Sequence, residues 1–254
     1  MQFFETVGST NDAAIEHARA GDLVFPTLFL TAQQISGRGR LGREWTSSAG
    51  NLALSYSFNA SGRLQNASQI LPLLAMAAGL SVTEMIRVFC PGLDVAIKWP
   101  NDVFIGSRKC SGILIETVPC KQSVAVVVGI GINVNQPIDR STLNATGRLA
   151  EPTSLYDEIG TRLDLTELVI ALVQRLRGTI QQIGHQDSNL VQDYNRSLWG
   201  RNERLTLRVG SDEYTGICKR VNDHGELVLG IDSREFTFAS GTVISIGSST
   251  RYER

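Results

Sequence analysis

The amino-acid sequence predicts a protein of mixed α/β (α+β) class. A mixed sheet with packed helices is followed by a small all-β module. Two observations carry this prediction. Segments with the two-residue period of strands alternate with segments of helical period up to about residue 198. From Arg204 onward the helical patterns stop, and short strands are separated by turn residues. We therefore expect two domains, residues 1–199 and residues 200–254.

The composition is that of an ordinary globular chain of 254 residues, with 42% hydrophobic residues and a formal net charge of −1. A protein whose main partner is nucleic acid usually carries a basic face, so we expect no specific DNA binding. The N-terminus lacks the pattern of a signal peptide, and the longest apolar run, residues 70–82, is too short to cross a bilayer. These features predict a cytoplasmic protein with no membrane partner. The four cysteines are scattered, which predicts no metal site.

The chain begins with a strand at residues 3–7 and a helix at residues 13–20. Three short polar residues, Ser9, Thr10 and Asn11, lie directly before that helix. Residues of this kind are typical of helix N-caps. They also offer donors and acceptors to a small polar ligand, so both interpretations stay open.

A strand at residues 27–33 leads into a loop, residues 37–45, in which glycine and arginine alternate, and a strand at residues 51–58 leaves it. Glycines allow a ligand to approach the backbone, and guanidinium groups bind phosphate or carboxylate bidentately. The loop is therefore predicted to hold an anion and, because its like charges repel, to be mobile until the anion orders it. A flexible surface turn is the alternative. The pattern Gly37-x-Gly39-x-x-Gly42 also matches a dinucleotide fingerprint, but no helix begins after it, which argues against that site.

A helix at residues 68–88 should pack on the sheet, because its apolar residues have helical spacing. The next strand ends in Lys98-Trp99-Pro100-Asn101-Asp102, which presents a lysine, an amide and a carboxylate together. Such a set suits nucleotide phosphates and base edges, and ordinary turn chemistry is the alternative. Val95-Ala96-Ile97-Lys98 also spells a kinase lysine motif, but the companion kinase motifs are missing.

Two apolar strands follow, at residues 108–116 and 123–134. Lys109 enters the first strand close to Gly112, where it is either a solvated edge lysine or a partner for a ligand carboxylate. Asn133 stands at the end of the second strand, and the ends of sheets are where ligands bind.

The remainder of the chain contains a loop at residues 136–152, an amphipathic helix at residues 166–183 and a shorter helix at residues 189–198. The short strands that follow are separated by turns at Gly210, residues 222–225 and Ser240-Gly241. This spacing is typical of a compact all-β unit.

Five motifs resemble, in order and spacing, those of biotin protein ligases. They are Ser9-Thr10-Asn11, Gln34-x-x-Gly37-Arg38-Gly39-Arg40-x-Gly42-Arg43-x-Trp45, Lys98-Trp99-Pro100-Asn101-Asp102, Lys109-x-x-Gly112-Ile113-Leu114-x-Glu116 and Gly129-x-Gly131-Ile132-Asn133. The resemblance covers nearly the whole chain. It implies a catalytic domain related to class II aminoacyl-tRNA synthetases and lipoate ligases, followed by an SH3-like barrel. The best-known bacterial members carry a DNA-binding winged helix before the first motif; only eight residues precede Ser9, so we expect no repressor activity.

The resemblance also implies an activity: biotin reacts with ATP to give biotinoyl-AMP, and biotin then passes to a lysine of a biotin carboxyl carrier protein. It assigns biotin binding to Ser9, Thr10, Asn11, Gln34, Arg38, Gly39, Arg40, Lys109 and Gly112. It assigns ATP binding to Arg43, Trp45, Lys98, Asn101 and Asn133. Lys109 and Arg40 are the expected catalytic residues, and the loop at 136–152 is expected near the nucleotide. Mg²⁺ is expected to enter with ATP.

Two other functions remain open. A lipoate or octanoate ligase or transferase would share the fold, although the Gly-Arg-Gly-Arg and Lys-Trp-Pro-Asn-Asp sequences favour biotin. A non-enzymatic biotin-binding module is the second alternative. The sequence does not decide between a monomer and a homodimer, and it does not identify the carrier proteins.

Overall fold

The computed structural model describes residues 1–21, 24–60, 67–120, 123–139, 150–183 and 189–247. The strands of its main sheet are β1 (Gln2–Val7), β2 (Thr27–Arg38), β3 (Glu44–Ser47), β4 (Leu52–Ala60), β5 (Val95–Lys98), β6 (Asp102–Ile105), β7 (Arg108–Cys120) and β8 (Ser123–Ile132). They pair in the order β1-β2-β4-β8-β7-β6-β5, and β3 pairs with β2. β1 runs parallel to β2, while the other ladders are antiparallel, so the predicted mixed sheet is confirmed.

The helices are α1 (Thr10–Ala20), α2 (Ala67–Phe89), α3 (Leu155–Ile159), α4 (Leu165–Gln182) and α5 (Leu190–Arg196). α1 is terminated by Gly21, which has a left-handed backbone conformation (φ 81°). Glycine adopts this conformation without strain. α2 and α4 lie against each other, and α2 also contacts β7 and β8. The predicted helices are therefore present, with bounds that differ by a few residues.

Alternation along β8 separates the two faces of the main sheet. Val128 and Ile130 belong to the large core that also contains α2 residues, whereas Val127 packs with α1 residues on the other face. Successive side chains of a strand point to opposite faces, so Gly129 and Gly131 continue the α1 face. These two glycines leave space on that face of the sheet.

α2 extends beyond the apolar run on which the sequence-based exclusion of a membrane span rested. Its segment Ile70–Phe89, 20 residues long, has the length and composition of a membrane-crossing helix. Length alone therefore does not exclude a membrane span. Within the protein, 67% of this window is buried, as in the core helix of a folded domain. The burial follows from its packing between the sheet and α4.

The C-terminal strands are β9 (Arg204–Val209), β10 (Asp212–Val221), β11 (Leu227–Ile231), β12 (Arg234–Phe238) and β13 (Thr242–Gly247). They form an antiparallel sheet in the order β12-β11-β10-β9-β13, which confirms a small all-β unit. In the described residues β12 and β13 form the two edges, and closure into an SH3-like barrel stays a prediction. Leu205 and Leu227 share one hydrophobic cluster with α2 residues, and the division at residue 200 also stays a prediction.

Three short elements were not predicted: β3, β6 and α3, each of five residues or fewer. Segments of that length contain too few residues to show a period. β3 changes the description of the arginine loop, because Gly37 and Arg38 pair with Trp45 and Glu44. The loop is therefore the tip of a β-hairpin, with one 3₁₀ turn at Arg40–Gly42.

Candidate active site

A cavity of about 760 Å³ lies over the Gly129–Gly131 stretch of β8. Its volume is in the range of sites for drug-sized ligands. All fourteen residues predicted for the site line it: Ser9, Thr10, Asn11, Gln34, Arg38, Gly39, Arg40, Arg43, Trp45, Lys98, Asn101, Lys109, Gly112 and Asn133. Residues from the strands β2, β3, β5 and β7, from the start of α1 and from the segments between strands thus meet at one place.

A chain of hydrogen bonds forms one end of the cavity. The backbone N–H and the hydroxyl of Thr10 both donate to Gln34 Oε1, at 2.8 and 3.0 Å. The Ser55 hydroxyl lies 2.8 Å from Thr10 Oγ1 and 2.6 Å from Asn11 Oδ1. We call these four residues the polar end.

Ser9 stands at the N-cap position of α1 with extended backbone angles, but its side chain makes no capping hydrogen bond. Thr10 and Asn11 use their side chains for the contacts of the polar end instead. Side-chain capping therefore does not account for these residues, and their role in binding a ligand stays a prediction.

Arg38 is held by two carboxylates. Its NH2 lies 2.5 Å from Asp12 Oδ1 and 3.0 Å from Glu116 Oε2. The hydrogen bond to Asp12 raises the pKa of the Arg38 guanidinium, and partial burial opposes that shift. The expectation that the charges of the arginine loop are unpaired was therefore wrong for Arg38, whose partners are distant in sequence. That the arginine loop is mobile without a ligand stays a prediction.

The other end of the cavity is cationic. The half-buried Arg40 donates to Asn101 Oδ1 at 3.2 Å, and burial lowers the pKa of its guanidinium. Lys98 is only 6% exposed, and burial likewise lowers the pKa of its ammonium group. That ammonium lies 5.1 Å from the centre of the Phe104 ring and 5.6 Å from that of Trp199. Cations held in surroundings of low polarity attract an anion strongly.

Lys109 belongs to the cationic end, because its partner Asp102 is also an electrostatic neighbour of Arg40 and Lys98. Its Nζ is 2.6 Å from Asp102 Oδ1 and 5.5 Å from the centre of the Trp45 ring. The lysine is thus neither a solvated edge residue nor an isolated charge. The carboxylate and the indole face hold its ammonium group within the cavity wall.

The glycines of β7 and β8 make room for these side chains. A Cβ atom on Gly131 would lie 2.3 Å from the Trp45 indole, and one on Gly129 would lie 2.2 Å from Asn11 Oδ1. A Cβ on Gly112 would lie 3.1 Å from the same indole. Larger residues at the first two positions would displace Trp45 or Asn11.

The amides of Asn101 and Asn133 are fixed by backbone carbonyls. Asn101 Nδ2 donates to the carbonyl of Ile113 at 2.7 Å, and Asn133 Nδ2 donates to that of Thr153 at 3.0 Å. Arg43 is exposed, and no ion pair of its guanidinium occurs within the described ranges. It is therefore the loop arginine most open to an added anion.

The loop predicted at residues 136–152 lies partly outside the described residues, which omit 140–149. Its described ends contribute Ile138, Asp139, Ala150 and Pro152 to the cavity wall. No group of three or more His, Cys, Asp or Glu side chains suited to a metal ion occurs among the residues that were placed.

Sequence reasoning missed several residues of the site. Ser55 is one of three polar residues in β4, and nothing in the sequence distinguished it from Ser57; both are fully buried. Asp102 and Glu116 belonged to recognised motifs but received no role. Gly241, Thr242 and Val243 also line the cavity, and no local pattern in the C-terminal sheet indicated this.

A mixed sheet with a large cavity, hydrogen-bonding at one end and cationic at the other, is suited to a protein of the class that binds a small polar molecule beside an anion. The model of the biotin/lipoate A/B protein ligase family matches residues 3–133. The chain therefore belongs to the biotin/lipoate A/B protein ligase family.

Individual relatives agree with this membership. The chain is 30% identical over 244 residues to a biotin–acetyl-CoA-carboxylase ligase of Mycobacterium tuberculosis, covering 94% of this chain and 86% of the relative. It is 31% identical to the enzyme of the same name from Paracoccus denitrificans, over 79% of this chain and 82% of that one. It is also similar to the structure of a biotin protein ligase from Aquifex aeolicus in complex with biotin and ATP. The TM-score is 0.78 and the identity 26%, over 97% of this chain and 98% of the other.

Proposed function

We propose that this chain is a biotin–protein ligase, which activates biotin with ATP to biotinoyl-5′-AMP and transfers it to a specific lysine of a biotin carboxyl carrier protein. The observation that carries the proposal is the joining of a polar end and a cationic end in one cavity of about 760 Å³. Such a cavity suits the reaction of a polar carboxylic acid with a nucleoside triphosphate. The family relatives named as biotin ligases support the same activity.

The polar end receives the ureido ring of biotin. Gln34 Oε1 already accepts two hydrogen bonds from Thr10, which leaves the amide group Nε2 as a donor for a ligand carbonyl. Ser9, Asn11, Gly39 and Gly112 complete the biotin site, and Arg38 bounds it.

In the first half-reaction the biotin carboxylate attacks the α-phosphate of ATP, and pyrophosphate leaves. Two anions must approach each other, so the chain has to supply positive charge at the point of reaction. Lys109 and Arg40 supply this charge at the cationic end of the cavity. Arg43, Lys98, Asn101, Asn133 and the Trp45 ring hold the nucleotide.

In the second half-reaction the amine of the carrier lysine attacks the acyl carbon of biotinoyl-AMP. An amide bond forms, AMP leaves, and the amine loses a proton. The mixed anhydride is open to hydrolysis, so the hairpin tip and the C-terminal residues Gly241–Val243 have the task of excluding water.

Mg²⁺ would enter with ATP, where it would neutralise part of the phosphate charge. Asp102 and Asp139 line the same cavity as Lys98 and Arg43. The two carboxylates would suit an ion that is held mainly by the substrate phosphates and in part by one or two carboxylates.

Further expectations follow for the whole protein. The carrier is a domain of acetyl-CoA carboxylase or of another biotin-dependent carboxylase. With a net charge of −1 the chain is not expected to bind DNA specifically, and a salt-sensitive, sequence-preferring gel shift would contradict this.

We propose a cytoplasmic location and a division into domains near residue 200. Light scattering decides between a monomer and a homodimer.

The activity is tested with labelled biotin, ATP and a carrier domain, with lipoate in place of biotin as the control. We expect biotin-dependent pyrophosphate release and labelling of the carrier. Biotin binding without pyrophosphate would identify a non-enzymatic binding module. Preferential use of lipoate would identify a lipoate ligase.

The variant Lys109→Ala tests the catalytic assignment. Loss of one preorganised charge at the reacting centre should lower the rate of adenylate formation about a hundredfold, with ATP affinity nearly unchanged. Lys219→Ala, at an exposed position of the C-terminal sheet, is the matched control. A collapse of ATP affinity with normal turnover at saturation would place Lys109 in the nucleotide site instead.

A further inference from the structure

Glu116 connects three elements behind the polar end of the cavity. Its Oε2 accepts a hydrogen bond from Asn11 Nδ2 at 2.8 Å. Arg38 NH2 lies 3.1 Å from Oε1 and 3.0 Å from Oε2. The carboxylate on β7 therefore holds one residue of α1 and one residue of β2, while Glu116 itself is not among the cavity-lining residues.

The position of Glu116 follows from the alternation of β7. Gly112 and Leu114 line the cavity, and Glu116 continues the same face two residues further along the strand. Its side chain is 24% exposed, so most of its surface is covered. A carboxylate in that position needs hydrogen-bond donors, and Asn11 and Arg38 supply them.

Two acceptors determine which way the Asn11 amide faces: Glu116 Oε2, at 2.8 Å, and the carbonyl oxygen of Leu114, at 3.4 Å, of which Glu116 makes the shorter bond. An ionised carboxylate only accepts hydrogen bonds, so the group turned toward Glu116 must be the NH₂ group. The amide oxygen then faces Ser55 Oγ, at 2.6 Å, and lies over Gly129, where a Cβ atom would be 2.2 Å away. Reversal of the amide would bring its oxygen against the carboxylate, which is unfavourable because neither group donates.

The orientation of Asn11 matters for the polar end as a whole. Asn11 Oδ1 accepts one bond from Ser55 and keeps a second lone pair, while Gln34 offers its NH₂ group. The pocket thus presents an acceptor and a donor to its ligand. This pairing suits a ligand that carries both N–H and C=O groups.

We propose that Glu116 is a positioning residue for the polar end: by fixing the Asn11 amide and holding Arg38 beside it, Glu116 selects a ligand that presents both N–H donors and a carbonyl acceptor. The inference rests on the proposed function, in which the ureido ring of biotin is that ligand. Glu116 acts through Asn11, and Arg38 closes the outer side of the same carboxylate.

The variant Glu116→Gln tests the inference, since glutamine both donates and accepts, which leaves only the longer contact with the carbonyl of Leu114 to orient the Asn11 amide. Asp12→Asn is the matched control, because Asp12 contacts Arg38 and makes no bond to Asn11. Biotin and ATP binding are measured separately by calorimetry on the full chain. We expect Glu116→Gln to weaken biotin binding about tenfold or more and Asp12→Asn less than about threefold, with ATP affinity unchanged in both.

A second measurement separates positioning from general destabilisation. In a double-mutant cycle, Glu116→Gln should have little further effect on biotin affinity once Asn11→Ala is present. If Glu116→Gln does not fold, Glu116→Asp is used in the same cycle. Aspartate keeps the charge, but its shorter side chain moves the carboxylate away from Asn11. If Glu116→Gln weakens biotin binding as much in the Asn11→Ala background as in the parent chain, the inference is overturned.

The remaining outcomes are distinguishable. If the parent chain binds no biotin, the proposed function fails. If the parent binds biotin and Glu116→Gln binds it equally well, or if Asp12→Asn weakens binding as much, only the role of Glu116 in orienting Asn11 fails.

Discussion

At the scale of single residues, Lys98 has lost most of its water, and the faces of two aromatic rings replace that water only in part. The ammonium group is close to the rings of Phe104 and Trp199, and within the described ranges it forms no ion pair. Burial lowers its pKa, and the charge of Asp102 opposes this shift only in part. A charge retained at such a position indicates a function that requires it, because the fold alone would favour an apolar residue.

The first prediction therefore concerns stability and activity together. Lys98→Met keeps the length of the side chain and removes the charge, so the free energy of unfolding should rise by about 1 kcal/mol while the KM for ATP rises about tenfold. Thermal unfolding and steady-state kinetics measure the two effects. A less stable variant with normal ATP use would show that Lys98 has a purely structural role.

A second prediction at this scale concerns pH. Burial raises the pKa of the Cys218 thiol to about 12, so the unfolded chain loses this proton at lower pH than the folded chain. The contribution to stability is complete below about pH 9 and is lost as pH rises from there toward about 12.

We expect the free energy of unfolding to fall over that window, and to fall less steeply in Cys218→Val. Denaturant titrations at several alkaline pH values measure the slope. Cys120→Val, at a half-buried position, serves as the control because it leaves Cys218 in place. Equal slopes in the parent and in Cys218→Val would contradict the prediction.

At the scale of elements, β8 contributes to both ends of the cavity through two glycines. Gly129 lies under Asn11 at the polar end, and Gly131 lies under Trp45 toward the cationic end. The two positions are adjacent on one face of the same strand, so the same substitution at each should affect a different substrate.

The third prediction uses this arrangement. Gly129→Ala should raise the KM for biotin about tenfold with little change for ATP, and Gly131→Ala should do the reverse. Each added methyl group displaces one neighbour, at a cost of roughly 1–3 kcal/mol. The two variants are controls for each other, and identical effects on both substrates would mean that the strand simply distorts.

The β2–β3 hairpin is the second element on which the proposed function depends. Its base is paired as strands, while Arg40 at the tip reaches across to Asn101. The hairpin therefore connects the polar end of the cavity, through Gln34 in β2, to the Lys98–Asp102 turn.

The fourth prediction is that Arg40→Ala releases its intermediate. Loss of a guanidinium contact to carboxylate or phosphate, about 1.5–3 kcal/mol, should weaken retention of biotinoyl-AMP about ten- to a hundredfold. The measurement is the amount of pyrophosphate formed per biotinylated carrier, which should rise above the parental ratio. An unchanged ratio, together with unchanged biotin-dependent protection of residues 37–45 from protease, would show that the anion is held elsewhere.

At the scale of the whole molecule, the C-terminal sheet is part of the site. Trp99 Nε1 donates to the carbonyl of Gly225 at 3.0 Å, next to Asn101 in the same turn. Asn195 in α5 exchanges two hydrogen bonds with the backbone of Val221, at 2.8 and 2.7 Å. The C-terminal sheet is thereby attached to the turn that holds Arg40.

The fifth prediction follows from this attachment. Trp99→Phe should lower the free energy of unfolding by about 1–3 kcal/mol and increase protease cleavage in the turn at residues 222–225. Trp199→Phe is the control, because Trp199 Nε1 donates over the same distance to Gly106, within the main sheet region. Equal cleavage in the two variants would mean that the bond to Gly225 does not secure the sheet.

The sequence by itself determined the order and type of the longer elements and the residues that carry the chemistry. β8, α2 and α4 have strong periods, and period follows directly from backbone geometry. The five motifs combine cationic, amide and hydroxyl side chains at strand ends and at a helix start, which are places where backbone geometry exposes them to a ligand. All fourteen predicted site residues accordingly lie on one cavity.

Only the tertiary structure decided how those residues are paired. Arg38 meets Asp12 and Glu116, Lys109 meets Asp102, and Asn11 meets Ser55, across separations of up to 78 residues for Arg38 and Glu116. Such contacts depend on strand register and on which face each residue occupies, and a shift of one residue would reverse every face. The polar groups of a motif can therefore be recognised locally, whereas their orientation is set by neighbours that folding brings together.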